Sequence, residues 1–530
     1  MIINNRHLMR HLLYFLILTA ASWLSWFLFS RYFGVPVLIV DEAFYIETAK
    51  KFLSGDFAYR DNKPPGIFLI YSFIMHVTRH ADLSVMHRAA AVAHILGGWL
   101  VFFLVRKNQS PFPAVISAVT YLLLPSLSSS PSNFYAANTE LFMMAPWLAA
   151  WLAFCSSGSR LGGLVLAGAG AGCSMLIKQQ GAFLIPAFCF IIAVDKSFYT
   201  RYSLIEIMKK YSALAVGFLC VIVPVILVFS LNDSPYSVLY NWLLVNKGIA
   251  SEQGSFIWAL GRIRFRAMHL EPIYISAALA FVTQIIILFR TKIRSSQRIN
   301  ASLLWIVTAI VSYAGLNVGG NYSGHYFIML FPAVAVLFGL FCSWIFAGVL
   351  RIRQAYVRWA MCVTCGLGLG WCLLYPLIQY TGFPPGSKKL VTYIDRAPLG
   401  EMIKTTAVYL RAQTTKDDTL FVWGFCPELY YLSGRRPASR YIHCNFLVGD
   451  ICPYPYGPRP NNIQQRHWDE LFTDLNTSMP EYIIDISPSD YLFFGSNEIA
   501  KYPEFEAFLK NRYRMEKRMG SFVLYKKKKE

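Results

Sequence analysis

Charge is scarce in this chain. Only 15% of its 530 residues are charged, against about a quarter in a soluble protein, and the 29 acidic residues are outnumbered by 49 basic ones. With 55% of the residues hydrophobic, most of the chain belongs in lipid. The net charge of +20 does not point to nucleic acid, because the basic residues fall in short clusters between apolar runs, as cytoplasmic membrane loops do. Several familiar chemistries are missing. There is no G-x-x-x-x-G-K-[ST] phosphate loop, no H-E-x-x-H zinc helix and no G-x-S-x-G nucleophile elbow. Repeats of solenoid period and long low-complexity stretches are absent as well. Of the 11 cysteines, those from Cys155 to Cys372 lie in apolar segments, where a thiol behaves as a small hydrophobe. That includes Cys362 and Cys365, whose C-x-x-C spacing is therefore not a metal site. Cys426, Cys444 and Cys452 lie in a polar C-terminal part, where a disulfide among them fits an oxidising compartment, with the pairing open.

What is present is a series of apolar runs. The first, from Leu12 to about Phe29, follows a basic N-terminus and continues past the small residues Ala20 to Ser22 to near-spanning length, which favours an uncleaved helix over a signal peptide. Others lie at 88–105, 112–128, 138–155, 161–177, 181–194, 211–231, 272–289, 301–318, 325–349 and 358–378. By length they give about eleven spans, with eleven to thirteen as the range. The segment Pro65 to His76 reaches only about 18 Å as a helix against a hydrocarbon core of about 30 Å. Leaving it out puts Arg106 and Lys107, Arg160, Lys196 to Lys210, Arg290 to Arg298 and Arg351 to Arg358 on the cytoplasmic side with the N-terminus. It therefore reads as a helix lying at the outer interface. The expected fold is a polytopic α-helical membrane protein, with a transmembrane domain over 1–378 and a small extracytoplasmic α/β domain over 379–530. In that tail, Thr419 to Val422, Tyr482 to Ile486 and Ser521 to Tyr525 read as strands. Trp468, Leu471, Phe472 and Leu475 have helical spacing, and Glu504 to Met519 reads as helix.

On this map the polar chemistry collects on the outer face, above all in residues 31–87. Asp41 and Glu42 stand together at the start of a helical pattern, where carboxylates favour the helix dipole. A carboxylate at the mouth of a membrane cavity also suits a general base toward an acceptor hydroxyl. Arg60 and Lys63 are the complement, because fixed cations stabilise the charge that develops on a phosphate leaving group. Pro64 and Pro65 hold the Lys63 backbone extended. Tyr45, Tyr59 and Asp61 complete the cluster. Arg262 and Arg266, just before the 272–289 run, can gather a phosphate or form an interfacial basic helix. Glu140 opens a span and is either a binding carboxylate or part of a helix start capped by Asn138 or Thr139. Lys178, between two short apolar runs, is an ionisable group at membrane depth. His325 and Tyr326 open the run at 325–349.

The succession DEAFY, GDFAYRDNKPPG, NTELFMMAPW, MLIKQQGAFLIP and GHYFIMLFPA resembles the polyprenyl-phosphate-dependent glycosyltransferases of the C superfamily, which include protein O-mannosyltransferases and the lipid A aminoarabinose transferase. The resemblance covers roughly residues 1–380, and the tail is similar to the outer domain of uncharacterised bacterial members. It implies that Asp41, with Glu42 beside it, is the catalytic base or acceptor orienter, and that Lys63 lies near the carrier phosphate. It implies binding roles for Glu140 and for the His325–Tyr326 pair.

The expectation is thus an inverting membrane glycosyltransferase. It moves one sugar from a polyprenyl-phosphate donor to an extracytoplasmic acceptor, which is a lipid such as lipid A, an envelope glycan or a protein hydroxyl. It would sit in a bacterial inner membrane, with Asp41 facing Lys63 across room for a lipid-borne sugar. No cofactor is demanded, although a divalent cation bridging Asp41 to the phosphate is compatible with the loop. The rival is a transporter or flippase, which would place ionisable groups near mid-membrane in related halves. Here the acids gather at one mouth.

Overall fold

The computed structural model describes residues 5–127, 131–157, 160–195, 203–235, 238, 242, 271–290, 300–318, 323–381, 399–449 and 463–529. Each apolar run read from the sequence is helical, from Asn5–Ser30 through Leu83–Asn108, Thr139–Ser157 and Leu204–Asn232 to Phe331–Leu350 and Ala355–Thr381. Among the described residues, 6 helices are long and apolar enough to cross a membrane. Shorter apolar helices occupy Gly66–Thr78, Pro111–Leu127, Leu161–Ile177, Gln179–Val194 and Ala301–Asn317. The chain reads as an integral membrane protein. It divides into two compact units.

One unit comprises Met1–Gly34, His87–Val225 and Gln253–Leu390. Its helices pack through aromatic and small residues. Trp151 meets Phe188 edge-on with ring centroids 4.9 Å apart, and Phe154 stacks on Phe188 at 4.3 Å. Helices Leu161–Ile177 and Leu204–Asn232 approach so closely that a Cβ on Gly168 would meet the Leu214 carbonyl, and one on Gly217 the Val165 carbonyl. Only glycine permits that backbone contact.

The other unit comprises Val35–Met86, Ile226–Glu252 and Val391–Glu530. It holds helix Val40–Leu53 against the 13-residue helix Gly66–Thr78, which at about 20 Å is too short for a bilayer core. Its sheet contains β1 (Thr419–Trp423), β2 (Arg436–Pro437), β3 (Tyr482–Asp485), β4 (Tyr513–Met519) and β5 (Phe522–Lys527), in the order β2-β1-β3-β5-β4. The pairs β1–β2 and β1–β3 are parallel, and β3–β5 and β4–β5 antiparallel. One face of the sheet is covered by helix Gln465–Ser478, which buries Trp468, Leu471 and Leu475 as its spacing predicts, and by Pro503–Arg512. Trp423 stacks on Phe505 at 4.7 Å in this core.

The helix expected over Glu504 to Met519 stops at Arg512, and the remainder is strand β4. Gly520, at φ +60°, turns the chain back so that Met519 pairs with Phe522. Pairing with β5 overrides the helix propensity of the Arg, Met, Glu and Lys residues in this stretch.

Candidate active site

Asp41 sits in the first turn of helix Val40–Leu53. That helix begins there because Glu42, fully buried, accepts the backbone N–H of Leu38 at 2.8 Å and that of Ile39 at 3.4 Å. Glu42 thus closes the helix start and leaves Asp41, one residue earlier, partly open with its side chain 19% exposed. Opposite lies the segment ahead of helix Gly66–Thr78, which bends at Asn62 and Lys63. The Tyr59 hydroxyl donates to the Lys63 carbonyl at 2.9 Å and accepts the Trp242 indole N–H at 2.8 Å. This fixes the lysine backbone just where Pro64 forbids helix.

The Lys63 ammonium stands 3.4 Å from Asp61 Oδ2 and 3.9 Å from Asp41 Oδ1. It lies 5.6 Å from the Tyr45 ring centroid and 5.8 Å from that of Phe44. The expected gap between Asp41 and Lys63 is closed, since no sugar ring fits within 3.9 Å. The lysine instead bridges two carboxylates over an aromatic floor. Burial pushes the Asp61 carboxyl above its usual range; the Lys63 charge opposes the shift and the Asp41 charge adds to it. Tyr45 and Tyr59 are buried and support the lysine from below and behind.

Arg60, expected at the donor phosphate, is fully committed elsewhere. Its Nε donates to Glu470 Oε2 at 2.9 Å, and its two terminal nitrogens donate to Tyr59 O at 2.8 Å, Asp233 Oδ2 at 2.6 Å, Asp233 Oδ1 at 3.2 Å and Glu470 Oε1 at 2.7 Å. A guanidinium has five N–H groups, so none remains for a phosphate. Arg60 is a tie between distant segments of this unit. Arg262 and Arg266 lie outside the described residues.

Two residues of this surrounding escape a sequence reading. His443, from the segment after β2, is buried with its ring 5.2 Å from that of Phe44. Burial lowers its pKa from 6.5 to about 3, with Lys63 adding to the shift and Asp41 opposing it. Glu428, fully buried, accepts the Tyr491 hydroxyl at 2.7 Å and is raised to about 7 by burial, with the Asp41 charge contributing. A histidine flanked by Ile442 and Cys444 carries an apolar setting as its only sequence signal. Because folded His443 stays neutral while the unfolded chain takes up its proton, the unfolded state binds more protons between pH about 3 and 6.5. Thermal unfolding followed through that window should therefore show stability falling as pH falls. His443→Phe should flatten the slope, and an unchanged slope would remove His443 as its source.

The membrane-helix unit holds a second cluster. Lys178 hydrogen-bonds the buried Glu140, which also accepts the Thr139 hydroxyl at 2.8 Å. The Lys178 ammonium lies 3.7 Å from the Tyr326 ring centroid, and the His325 ring is 4.9 Å from that of Tyr326. Asn138 caps the helix of Glu140 through the Leu141 N–H at 3.0 Å, so the capping and the ion-pairing roles fall to neighbouring residues. Lys178 is extended, at φ −155°, between helix Leu161–Ile177 and the 3-10 turn that follows. A Cβ on Gly181 would collide with the backbone of Ser174 and Met175, so glycine permits the fold-back that presents the lysine.

Cys426 and Cys444 are buried free thiols, and Cys452 lies outside the described residues. Among the described residues no three His, Cys, Asp or Glu side chains converge as a metal site would require.

Residues 62–227 match the family model of dolichyl-phosphate-mannose-protein mannosyltransferases, a stretch that contains Lys63, Glu140 and Lys178. Among curated proteins none matches the chain in sequence. Solved structures share the fold at low identity. ArnT from Cupriavidus metallidurans, bound to undecaprenyl phosphate, is 14% identical with a TM-score of 0.61, the match covering 96% of this chain and 97% of that one. The oligosaccharyltransferase of Archaeoglobus fulgidus, tethered with an acceptor peptide, is 12% identical with a TM-score of 0.57, covering 97% of this chain and 74% of that one. At these identities the solved structures show a shared fold, and the family model covers residues 62–227 only.

Proposed function

We propose that this protein is a membrane glycosyltransferase that moves one sugar from a polyprenyl-phosphate carrier to an acceptor hydroxyl on the extracytoplasmic face. The observation that carries the reading is the Asp41–Lys63–Asp61 group: a partly open carboxylate on a helix start beside an ammonium held over tyrosine and phenylalanine rings. Support comes from the shared fold, since the Cupriavidus structure holds undecaprenyl phosphate and the matched family is named for a dolichyl-phosphate-sugar donor.

In this scheme the donor phosphate takes a hydrogen bond from the Lys63 ammonium, displacing its longer contact with Asp41. The freed Asp41 carboxylate accepts the proton of the acceptor hydroxyl as that oxygen bonds to the anomeric carbon. The bond from that carbon to the phosphate oxygen breaks, and its electron pair stays on the carrier phosphate, where Lys63 stabilises it. Attack from the face opposite the phosphate inverts the anomeric centre. Glu42 holds the helix start that aims Asp41, and Asp61 steadies the lysine. Glu140, Lys178, His325 and Tyr326 are assigned to substrate contact. A divalent cation, if bound, would be held by the Asp41 carboxylate and would offset negative charge on the donor phosphate. About eleven spans, a bacterial inner membrane and outward-facing active residues complete the proposal.

Lys63→Met tests it. Undecaprenyl phosphate added to the purified protein should raise the melting temperature of the wild type. The variant should bind it about 10- to 100-fold more weakly, the size of a lost hydrogen bond to a charged group. Equal binding by the variant would remove Lys63 from the donor site.

A further inference from the structure

His443 is held in place through its neighbour in the chain. The Cys444 N–H donates to the Gly424 carbonyl at 3.0 Å, and the Cys444 carbonyl accepts the N–H groups of Leu447 at 2.9 Å and Val448 at 3.1 Å. The imidazole packs against two rings, its centroid 5.2 Å from that of Phe44 and 4.7 Å from that of Phe425. Phe44 also faces the Lys63 ammonium, 5.8 Å from its centroid, and stands about one helical turn beyond Asp41 in helix Val40–Leu53. His443 is therefore a fixed neighbour of the Asp41–Lys63 group, and it comes from outside residues 62–227, the stretch that matches the family model.

Two polar atoms here lack partners. His443 is 5% exposed and Asn445 4% exposed, and His443 Nδ1 and Asn445 Oδ1 are both buried without a hydrogen-bond partner among the described residues. Burial and the Lys63 charge disfavour the imidazolium more than Asp41 and the Asn445 side chain favour it, so the ring is neutral near pH 7. A buried polar atom left without a partner is costly unless a ligand supplies one. Asn445 Oδ1 only accepts, so it needs a donor. An ionised phosphodiester has no hydrogen to donate, and a cation has nothing to accept from a ring N–H and is repelled by Lys63. A hydroxyl group donates and accepts at once, which suits the amide oxygen and the imidazole together. In the transferase scheme the phosphate held by Lys63 is bonded directly to a sugar, which brings hydroxyl groups to the neighbourhood of that ammonium.

We infer that His443 and Asn445 hold a hydroxyl group of the sugar on the polyprenyl-phosphate donor, and so select among donors at the sugar rather than at the carrier. The inference rests on the transferase reading and adds two residues of the C-terminal segment to the donor site.

The full-length protein in lipid nanodiscs would be titrated, with melting temperature as the readout, with undecaprenyl phosphate and with undecaprenyl phosphate bearing mannose, glucose, galactose or arabinose. At least one sugar-bearing carrier should bind the wild type more tightly than the bare carrier. His443→Phe, which keeps a ring against Phe44 and Phe425, should bind the bare carrier as the wild type does and the preferred donor about 3- to 10-fold more weakly, the size of one neutral hydrogen bond. Asn445→Leu should show the same selective loss, and His443→Gln, which restores a group that donates and accepts, should recover part of it. A merely structural defect would weaken both ligands alike. Equal losses for bare carrier and donor, unchanged donor binding in both His443→Phe and Asn445→Leu, or a wild type that favours no sugar-bearing carrier would overturn the inference. Donor cleavage is measured in the same preparations. Cleavage by the wild type with donor binding unchanged in both variants would sink this inference alone, and a selective loss in protein that never cleaves donor would leave the sugar contact standing and sink the transferase reading.

Discussion

Asp41→Asn is expected to lower the turnover of a polyprenyl-phosphate sugar by about 10²- to 10⁴-fold, the range for loss of a positioned general base. The amide keeps the shape of the side chain and cannot take the acceptor proton. Helix Val40–Leu53 should survive, because its start is closed by Glu42 rather than by Asp41. Donor affinity should hold or rise slightly, because Lys63 would lose one of the carboxylates competing with the phosphate. A steady-state assay separates these effects: kcat falls and KM does not increase. A variant with wild-type kcat would show that Asp41 takes no proton in the reaction, and a rise in KM alone would make it a binding group.

Arg60→Met should be the most destabilising single change in the unit that holds Asp41. It strands Asp233 and Glu470, whose side chains are 11% and 13% exposed. Removing one partner of such a buried pair costs about 3–5 kcal/mol. Arg440, 3.9 Å from both carboxylates, and Arg466, 3.1 Å from Glu470, blunt the loss without replacing the fork of contacts. Burial alone would raise the Glu470 carboxyl, but hydrogen bonds and the charge of Arg60 bring it down to about 2 from 4.5. The stability this contributes is present above pH about 4.5 and is lost as pH falls toward about 2. In Arg60→Met that acid limb should move up toward 4.5. Undecaprenyl phosphate should still bind the folded variant, because Arg60 has no N–H to offer it. Loss of donor binding with unchanged melting would instead make Arg60 a phosphate ligand.

Arg60 also shows where reading the sequence stops. Its type and its place three residues before Lys63 fit a phosphate clamp, but its partners lie 173 and 410 positions away. No local pattern announces such pairs. The apolar runs were legible because helix length and hydropathy are local properties, and each run is helical here. Helix Gln465–Ser478 was legible for the same reason, through Trp468, Leu471 and Leu475. Strand β4 was not, since its Arg, Glu and Lys residues favour helix in isolation and only the Gly520 turn and pairing with β5 make it a strand. The acidic loop stood out in the sequence because charge is scarce in so apolar a chain. The approach of Lys63 to Asp41 and the packing of His443 on Phe44 depend on tertiary contacts that spacing does not encode.

The most direct test is the fate of the donor's glycosidic bond. Purified protein in nanodiscs would be incubated with a polyprenyl-phosphate sugar and an extract of envelope glycans, and the lipid followed by mass spectrometry. Free polyprenyl phosphate is expected to accumulate with the wild-type protein and to stay at background with Asp41→Asn. Release by Asp41→Asn at the wild-type rate would contradict the role given to that carboxylate. Donor that remains intact with the wild type, or that only crosses a vesicle wall unbroken, would contradict the transferase itself.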